Sequence, residues 1–317
     1  MRHHRLFLSS VLFAVTLLSA AERPASTANF AVEQKADRLV ITDGGQPVAT
    51  YGFRDAKILR PYFAQVHAPG RIQVTRNHPP VPGVDATDHD TMHPGLWLAF
   101  GDLSGHDFWR NKAKIVHERF VEPPAVREGQ VSFKSENIFQ GAGGERICEQ
   151  TLSLTLAARP SGYLLIWDAT FKSDQRDFVF GDQEEMGLGV RVATAITEKN
   201  GGTIRNSAGA KGAKATWGRT ADWSDYSGVI GQQRVGILLM PDPKNFRQSW
   251  FHNRDYGFMA ANPFGRNAFT GGEKSAVVVK KDESFRLRFG VLIHSAPSGN
   301  DLDLAAEYEH FKRTLAP

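Results

Sequence analysis

A chain of 317 residues that is 41% hydrophobic and 23% charged can bury a sizeable core and lies far from the compositions that stay unfolded. Its formal charge of +4 falls to 36 basic against 34 acidic residues once Arg2 and Arg5 are removed with the leader described next, which excludes a nucleic-acid polymer as partner. The single cysteine, Cys148, excludes an internal disulfide framework and any multi-cysteine zinc or iron–sulfur site, and reads as a small buried hydrophobe.

Met1 to Arg5 carries positive charge, Leu6 to Leu18 is almost wholly apolar, and Ser19-Ala20-Ala21 supplies the small residues that signal peptidase requires. This predicts a signal peptide over residues 1–21, export to the periplasm or beyond, and a disordered segment over 22–29. The apolar run is shorter than the ~20 residues of a spanning helix, and later apolar runs have only strand length, so no membrane span is expected after signal removal.

From about Phe30, short alternating or continuously apolar runs are broken by turn dipeptides: Leu39-Val40-Ile41, then Gly44-Gly45, then Val48 to Phe53. The pattern recurs at Gln130 to Phe139, Arg146 to Leu156, Gly162 to Phe171, Phe178 to Phe180, Gly187 to Thr197, Arg234 to Met240, Ser275 to Lys280 and Phe285 to His294. No helical crossover separates these runs, so the sheets are expected to be antiparallel. Near the C-terminus Asn300 or Asp301 can cap a helix on which Leu304, Tyr308, Phe311 and Leu315 share one face. No linker or repeat divides the chain. The expectation is therefore a single all-β domain over residues 30–315. It is a large antiparallel two-sheet sandwich, with the galactose-mutarotase-like super-sandwich as nearest analogy and a short C-terminal helix.

Four stretches abandon the strand rhythm and gather polar, glycine and aromatic residues, as site-bearing loops do. The first contains Arg76, Asn77 and His78, then Asp88-His89-Asp90-Thr91-Met92-His93-Pro94-Gly95-Leu96-Trp97. His89 and His93, four apart, suit acid–base chemistry or, more weakly, a metal, with Asp88 or Asp90 orienting a ring. The second runs from Gly101 to Asn111 and reads as a polar turn into a strand. The third, Phe180 to Arg191, places Asp182, Glu184 and Glu185 before a strand whose alternation puts Glu185 and Arg191 on one face. The fourth spans Asn206 to Gly265 and interleaves Trp217, Trp223, Tyr226, Trp250 and Tyr256 with His252, Arg254, Asp225 and Asn253. Aromatic faces suit the C–H surface of a sugar ring while polar groups bond its hydroxyls.

The blocks Thr75-Arg76-Asn77-His78-Pro79, Asp88-His89 to His93-Pro94-Gly95-Leu96-Trp97, Phe108-Trp109-Arg110-Asn111-Lys112, Asn206-Ser207-Ala208-Gly209, Trp223 to Gly228 and His252 to Gly257 with Ala261-Asn262-Pro263-Phe264-Gly265 occur in an order that resembles the PmoA-like family of exported bacterial proteins, also labelled methane oxygenase. Many members resemble DHPHHRGLW in the second block. This chain is one residue longer there and has one histidine fewer, so only His89 and His93 carry over. Asp182, Glu185 and Arg191 fit the family's FGDxxE…R pattern, and Glu184 does not. Methane oxidation by an integral membrane subunit does not suit a mature chain without a spanning stretch.

The preferred reading is an exported carbohydrate-active enzyme, an epimerase, lyase or hydrolase working by His/Glu acid–base chemistry on a sugar ring. His93, Glu185 and His252 are the catalytic candidates. Arg76, Asn77, His89, Trp97, Asp182, Arg191, Asn206, Trp223, Tyr226, Arg254 and Tyr256 are the substrate-binding ones. A non-catalytic glycan-binding module is the alternative, and a metal-dependent oxygenase using His89, His93 and a carboxylate a weaker one. No nucleotide, haem or phosphate-loop fingerprint occurs, so no cofactor is expected.

Overall fold

The computed structural model describes residues 28–315. The expected signal peptide, 1–21, and residues 22–27 of the expected disordered segment lie outside the described residues. Asn29, at the end of that segment, is tied to the following hairpin: its N–H donates to Asp43 Oδ1 at 2.8 Å and its carbonyl accepts from Gly44 N–H at 2.8 Å.

Two wide sheets make the domain. The first runs edge to edge as Phe30–Gln34, Arg38–Asp43, Gln46–Gly52, Tyr62–Ala64, Leu96–Phe100, Met186–Arg191, Phe258–Asn262, Trp250–Arg254 and Arg219–Thr220. The second runs Thr203–Asn206, Ser224–Ile230, Gln233–Pro241, Ser284–Pro297, Gly162–Lys172, Arg146–Arg159, Gln130–Gln140 and Lys114–Arg127. Every pairing within both is antiparallel. The all-β antiparallel sandwich read from the turn grammar is the fold.

Alternation decides what each strand buries. Leu98, Leu188, Met259 and Phe251 of the first sheet meet Leu165, Trp167, Val291 and Ile293 of the second in the main core, with Cys148 buried there too. The opposite face of the first sheet carries a second apolar layer that includes Tyr62, Ala64, Trp97, Ala99, Phe258 and Ala260. A third layer lies behind the second sheet, where Leu304, Tyr308 and Phe311 of the helix Leu304–Thr314, with Leu315 that caps its end, cover Leu164, Leu238 and Leu292. The helix packs as its apolar stripe demands, but Asp303 caps it, accepting from Ala306 N–H, in place of Asn300 or Asp301.

The loop expectation needs correction in two stretches. Residues 224–230, 250–254 and 258–262 are strands, and so are 96–100. Their polar and aromatic residues obscured a period of two, because both faces of these strands are covered and the outer face is covered by side chains that are themselves polar. The strand Lys114–Arg127 was also hidden, by Pro123 and Pro124. It lies at an edge of the second sheet and has register shifts on its one paired side, where missing N–H donors are tolerated.

Candidate functional site

The outer face of the first sheet carries most of the chemistry-bearing residues. Register pairs His252 with Ala260, Ala260 with Gly189 and Gly189 with Trp97, so these four lie side by side across four strands. The next row is Arg254, Phe258 and Arg191. Gly189 is required by close approach: a Cβ there would sit 2.7 Å from the Trp97 indole and 2.8 Å from that of Trp109. The two indoles pack edge to face over it, with centroids 5.1 Å apart.

His93 enters this layer from the loop that precedes Trp97. Its ring stacks on Phe258 at 4.7 Å, on Trp97 at 5.1 Å and on His89 at 4.7 Å. His252 contacts the same Phe258 edge-on at 4.9 Å, so one phenyl ring separates the two imidazoles. Both histidines are only 3% exposed. Burial, with the Arg191 charge adding to it, holds His93 far below the usual histidine range. Burial and then the Arg254 charge bring His252 down to about 3. Both rings are neutral at physiological pH.

Asp88 organises the solvent-facing part. It takes a two-pronged hydrogen bond from the buried Arg191, at 2.9 and 3.1 Å, and its Oδ2 lies 2.6 Å from His89 Nδ1. Burial alone would raise this carboxyl, but the Arg191 and His89 hydrogen bonds and the Arg191 charge hold it at about 2. His89 itself is 40% exposed. Tyr256 lies nearly parallel to the His89 ring at 6.3 Å and under the Arg191 guanidinium, 4.6 Å from its ring centre. Burial raises the Tyr256 phenol, so it stays protonated. A cavity of about 340 Å³ opens here, lined by Asp88, Arg191 and Tyr256 together with Lys199 and Asn200.

The loop that bears His89 and His93 is knit from within. Arg76, 1% exposed, spends its guanidinium on backbone carbonyls: Ala86 at 2.8 Å, Asp88 at 2.7 Å, His93 at 3.2 Å and His89 at 3.3 Å. Asp85 accepts from Asn77, from Val81 N–H and from the Thr194 hydroxyl. Arg76 and Asn77 therefore shape the loop.

Glu185 does not join His252. It forms an ion pair with Arg110, which also reaches Asp107 at 3.1 Å. The carboxylate beside His252 is Glu184, with Oε2 at 3.4 Å from His252 Nε2, outside hydrogen-bond geometry, and at 3.2 Å from Arg254. The Glu184 carbonyl accepts from His252 Nδ1 at 3.2 Å and from Asn262 at 3.0 Å. The family-like pattern favoured Glu185. The signal for Glu184 was the pair His252 and Arg254, whose period of two aims two side chains at one neighbour.

Several other candidates serve the scaffold. Asp182 accepts from Asn267, Ala268 and Ser275 N–H at 2.7–3.0 Å and holds the start of the helix Arg266–Thr270. Asn206 closes its own turn by accepting from Ala208 and Ala210 N–H. Trp223 packs behind the second sheet in the layer under the C-terminal helix, away from the site. The buried Tyr226 hydroxyl accepts from Glu198 N–H at 2.8 Å and donates to the Asp255 carbonyl at 2.9 Å, pinning the turn that carries Arg254 and Tyr256. Trp97 is fully buried with no partner for its indole N–H, and forms the floor of the layer.

Among the described residues, no three His, Cys, Asp or Glu side chains gather as a metal-binding group. His89 and His93 stack face to face, with their planes 21° apart. No described helix is long and apolar enough to cross a membrane.

No curated protein matches the chain. Among solved structures it is similar to the GH36 α-galactosidase AgaB of Geobacillus stearothermophilus, at 13% identity and a TM-score of 0.43, over 85% of this chain and 41% of that one. It is also similar to a galactose mutarotase-like protein of Lactobacillus casei (12% identity, 84% and 100% covered, TM-score 0.35) and a galactose mutarotase related enzyme of Lactobacillus acidophilus (12%, 86% and 99%, TM-score 0.34). The chain thus spans about two fifths of the α-galactosidase. The model of DUF6807, a family of unknown function, matches residues 38–308, and the chain belongs to that family.

Proposed function

We propose that this protein is a carbohydrate-active enzyme that moves a proton on a sugar ring at the outer face of the first sheet. The observation that carries this reading is the Asp88–His89 pair. The carboxylate receives Nδ1–H of His89 at 2.6 Å and so leaves Nε2 as the free acceptor, on an exposed ring that touches two lining residues of the 340 Å³ cavity, Asp88 and Tyr256. The protonated Tyr256 phenol supplies the donor. Tyr256 also offers an apolar face for a ring, and Arg191 stabilises negative charge that develops at the reacting centre. His93 and His252, the buried neutral imidazoles, support this arrangement from beneath. Export through the Met1–Ala21 segment and kinship with the PmoA-like exported proteins are part of the same proposal and place the substrate outside the cytoplasm.

Incubation with a panel of mono- and oligosaccharides, followed by NMR for new anomeric or unsaturated-sugar signals, tests the reading. Product formation that His89→Gln and Tyr256→Phe abolish, with binding retained, supports it. Binding without any product replaces it with a glycan-binding module, the reading favoured by the burial of His93 and His252.

A further inference from the structure

A second cavity adjoins the first. Its volume is about 760 Å³, within the range of small-ligand clefts, and its lining includes Lys211, Lys214, Trp217, Arg254, Glu198 and Asp255. Adjacent residues of the chain line the two cavities. Arg254 and Asp255 line the larger one and Tyr256 the smaller, while Glu198 lines the larger and Lys199 the smaller. The ridge between them is the turn that Tyr226 pins from below.

Charge is uneven on both sides of that ridge. In the larger cavity three cations, Lys211, Lys214 and Arg254, stand with two carboxylates, and Arg254 is itself paired with Glu184 at 3.2 Å. Glu198 accepts from Ala213 N–H at 2.9 Å through Oε2 and keeps its charge, so the surplus is that of Lys211 and Lys214 over this one carboxylate. Asp255 faces Lys199 across the ridge at 3.7 Å. Neither Lys211 nor Lys214 has an ion-pair partner among the described residues, and both are exposed. In the smaller cavity Arg191 and Lys199 face Asp88 alone, and the buried Arg76 stands 3.6 Å behind that carboxylate. Trp217, with Arg254 5.5 Å above its ring, adds an aromatic wall.

Building on the sugar-enzyme reading above, we propose that the substrate is an acidic oligosaccharide, and that one of its anionic units occupies the Lys211–Lys214–Trp217–Arg254 cavity while the neighbouring unit lies at His89 and Tyr256. In this proposal two linked rings straddle the ridge. Lys211 and Lys214 attract the sugar's carboxylate or sulfate, and the Trp217 face packs against its C–H surface.

Calorimetric titration of the protein with three tetrasaccharides of similar length tests this: an oligogalacturonate, a sulfated chondroitin oligosaccharide and neutral cellotetraose. The expected result is binding of at least one anionic ligand about tenfold tighter than cellotetraose, weakening as salt is raised, with the Lys211→Ala/Lys214→Ala variant erasing most of that advantage at unchanged thermal midpoint. The carboxylated and sulfated arms identify the anion. Equal or tighter binding of cellotetraose, or an anionic preference untouched in the double variant, overturns the acidic-substrate inference and leaves the enzymatic reading standing. Failure of all three to bind, together with no product from the saccharide panel, overturns both.

Discussion

Arg191 and Asp88 join across 103 residues of chain through two hydrogen bonds of 2.9 and 3.1 Å, with the guanidinium 1% exposed and the carboxylate 38% exposed. The pair links the central strand of the outer face to the loop that presents His89. Arg76 shares the same carboxylate at 3.6 Å, so two buried cations lean on one partly exposed anion. Breaking a fully buried pair costs ~3–5 kcal/mol and an exposed one ~1 kcal/mol or less. Asp88→Asn is expected to fall between these limits in urea unfolding, and to detach His89 from its orienting partner.

The pH dependence of that difference follows from its sign. The folded Asp88 carboxyl is held at about 2, below the ordinary carboxylate value near 4, so its contribution is complete above pH ~4 and is lost as pH falls through 2. The stability gap between the wild-type protein and Asp88→Asn should therefore stay constant from pH 7 to about pH 4 and shrink below it. A gap that grows on acidification would contradict the assignment.

His93 and His252 act over a different window. Both are neutral in the folded state and charge on unfolding at acid pH, because their folded values lie below the ordinary ~6.5. Stability is thus drawn down as pH falls below about 6.5, by roughly 1.4 kcal/mol per pH unit for each group, and for His252 down to about 3. Replacing His93 by Phe, which keeps the stack on Phe258 and Trp97, is expected to flatten the urea midpoint between pH 6.5 and 4. A slope unchanged from wild type would show that His93 does not carry this dependence.

Gly189→Ala is expected to destabilise by about 1–3 kcal/mol, because the new methyl would press into the Trp97 and Trp109 indoles, themselves held edge to face in a packed layer. Tryptophan emission should shift with the loss. A fully stable variant with unchanged emission would mean that the two indoles yield freely.

Asp182→Ala removes the acceptor of three backbone N–H groups and is expected to cost about 1–3 kcal/mol, with saccharide binding retained. A variant that keeps its thermal midpoint but loses the ligand would return Asp182 to the binding site.

The antiparallel sandwich was legible because turn dipeptides and short apolar runs are local properties: Gly44-Gly45 between Leu39–Ile41 and Val48–Phe53 specifies a hairpin whatever surrounds it. The C-terminal helix was legible for the same reason, through four apolar residues on one face. His89, Arg191 and Tyr256 were also singled out, because His, Arg and Tyr interrupting a strand pattern are visible in the chain itself.

Partnership was the part that only the tertiary structure decided. Whether Glu184 or Glu185 faces His252 depends on which way two adjacent residues turn as the chain enters the strand Met186–Arg191. That choice is set by Asn262 and Arg110, which lie 78 residues after Glu184 and 75 before Glu185. Trp223 and Tyr226 share a stretch with His252 in sequence, yet one packs behind the second sheet and the other points into the core, since three residues along the chain, at the start of one strand of that sheet, put them on opposite faces while His252 lies on the first sheet. Composition and periodicity act over a few residues, whereas ion pairs, stacking and the walls of a cavity are made by segments that meet only once both sheets have closed on the core.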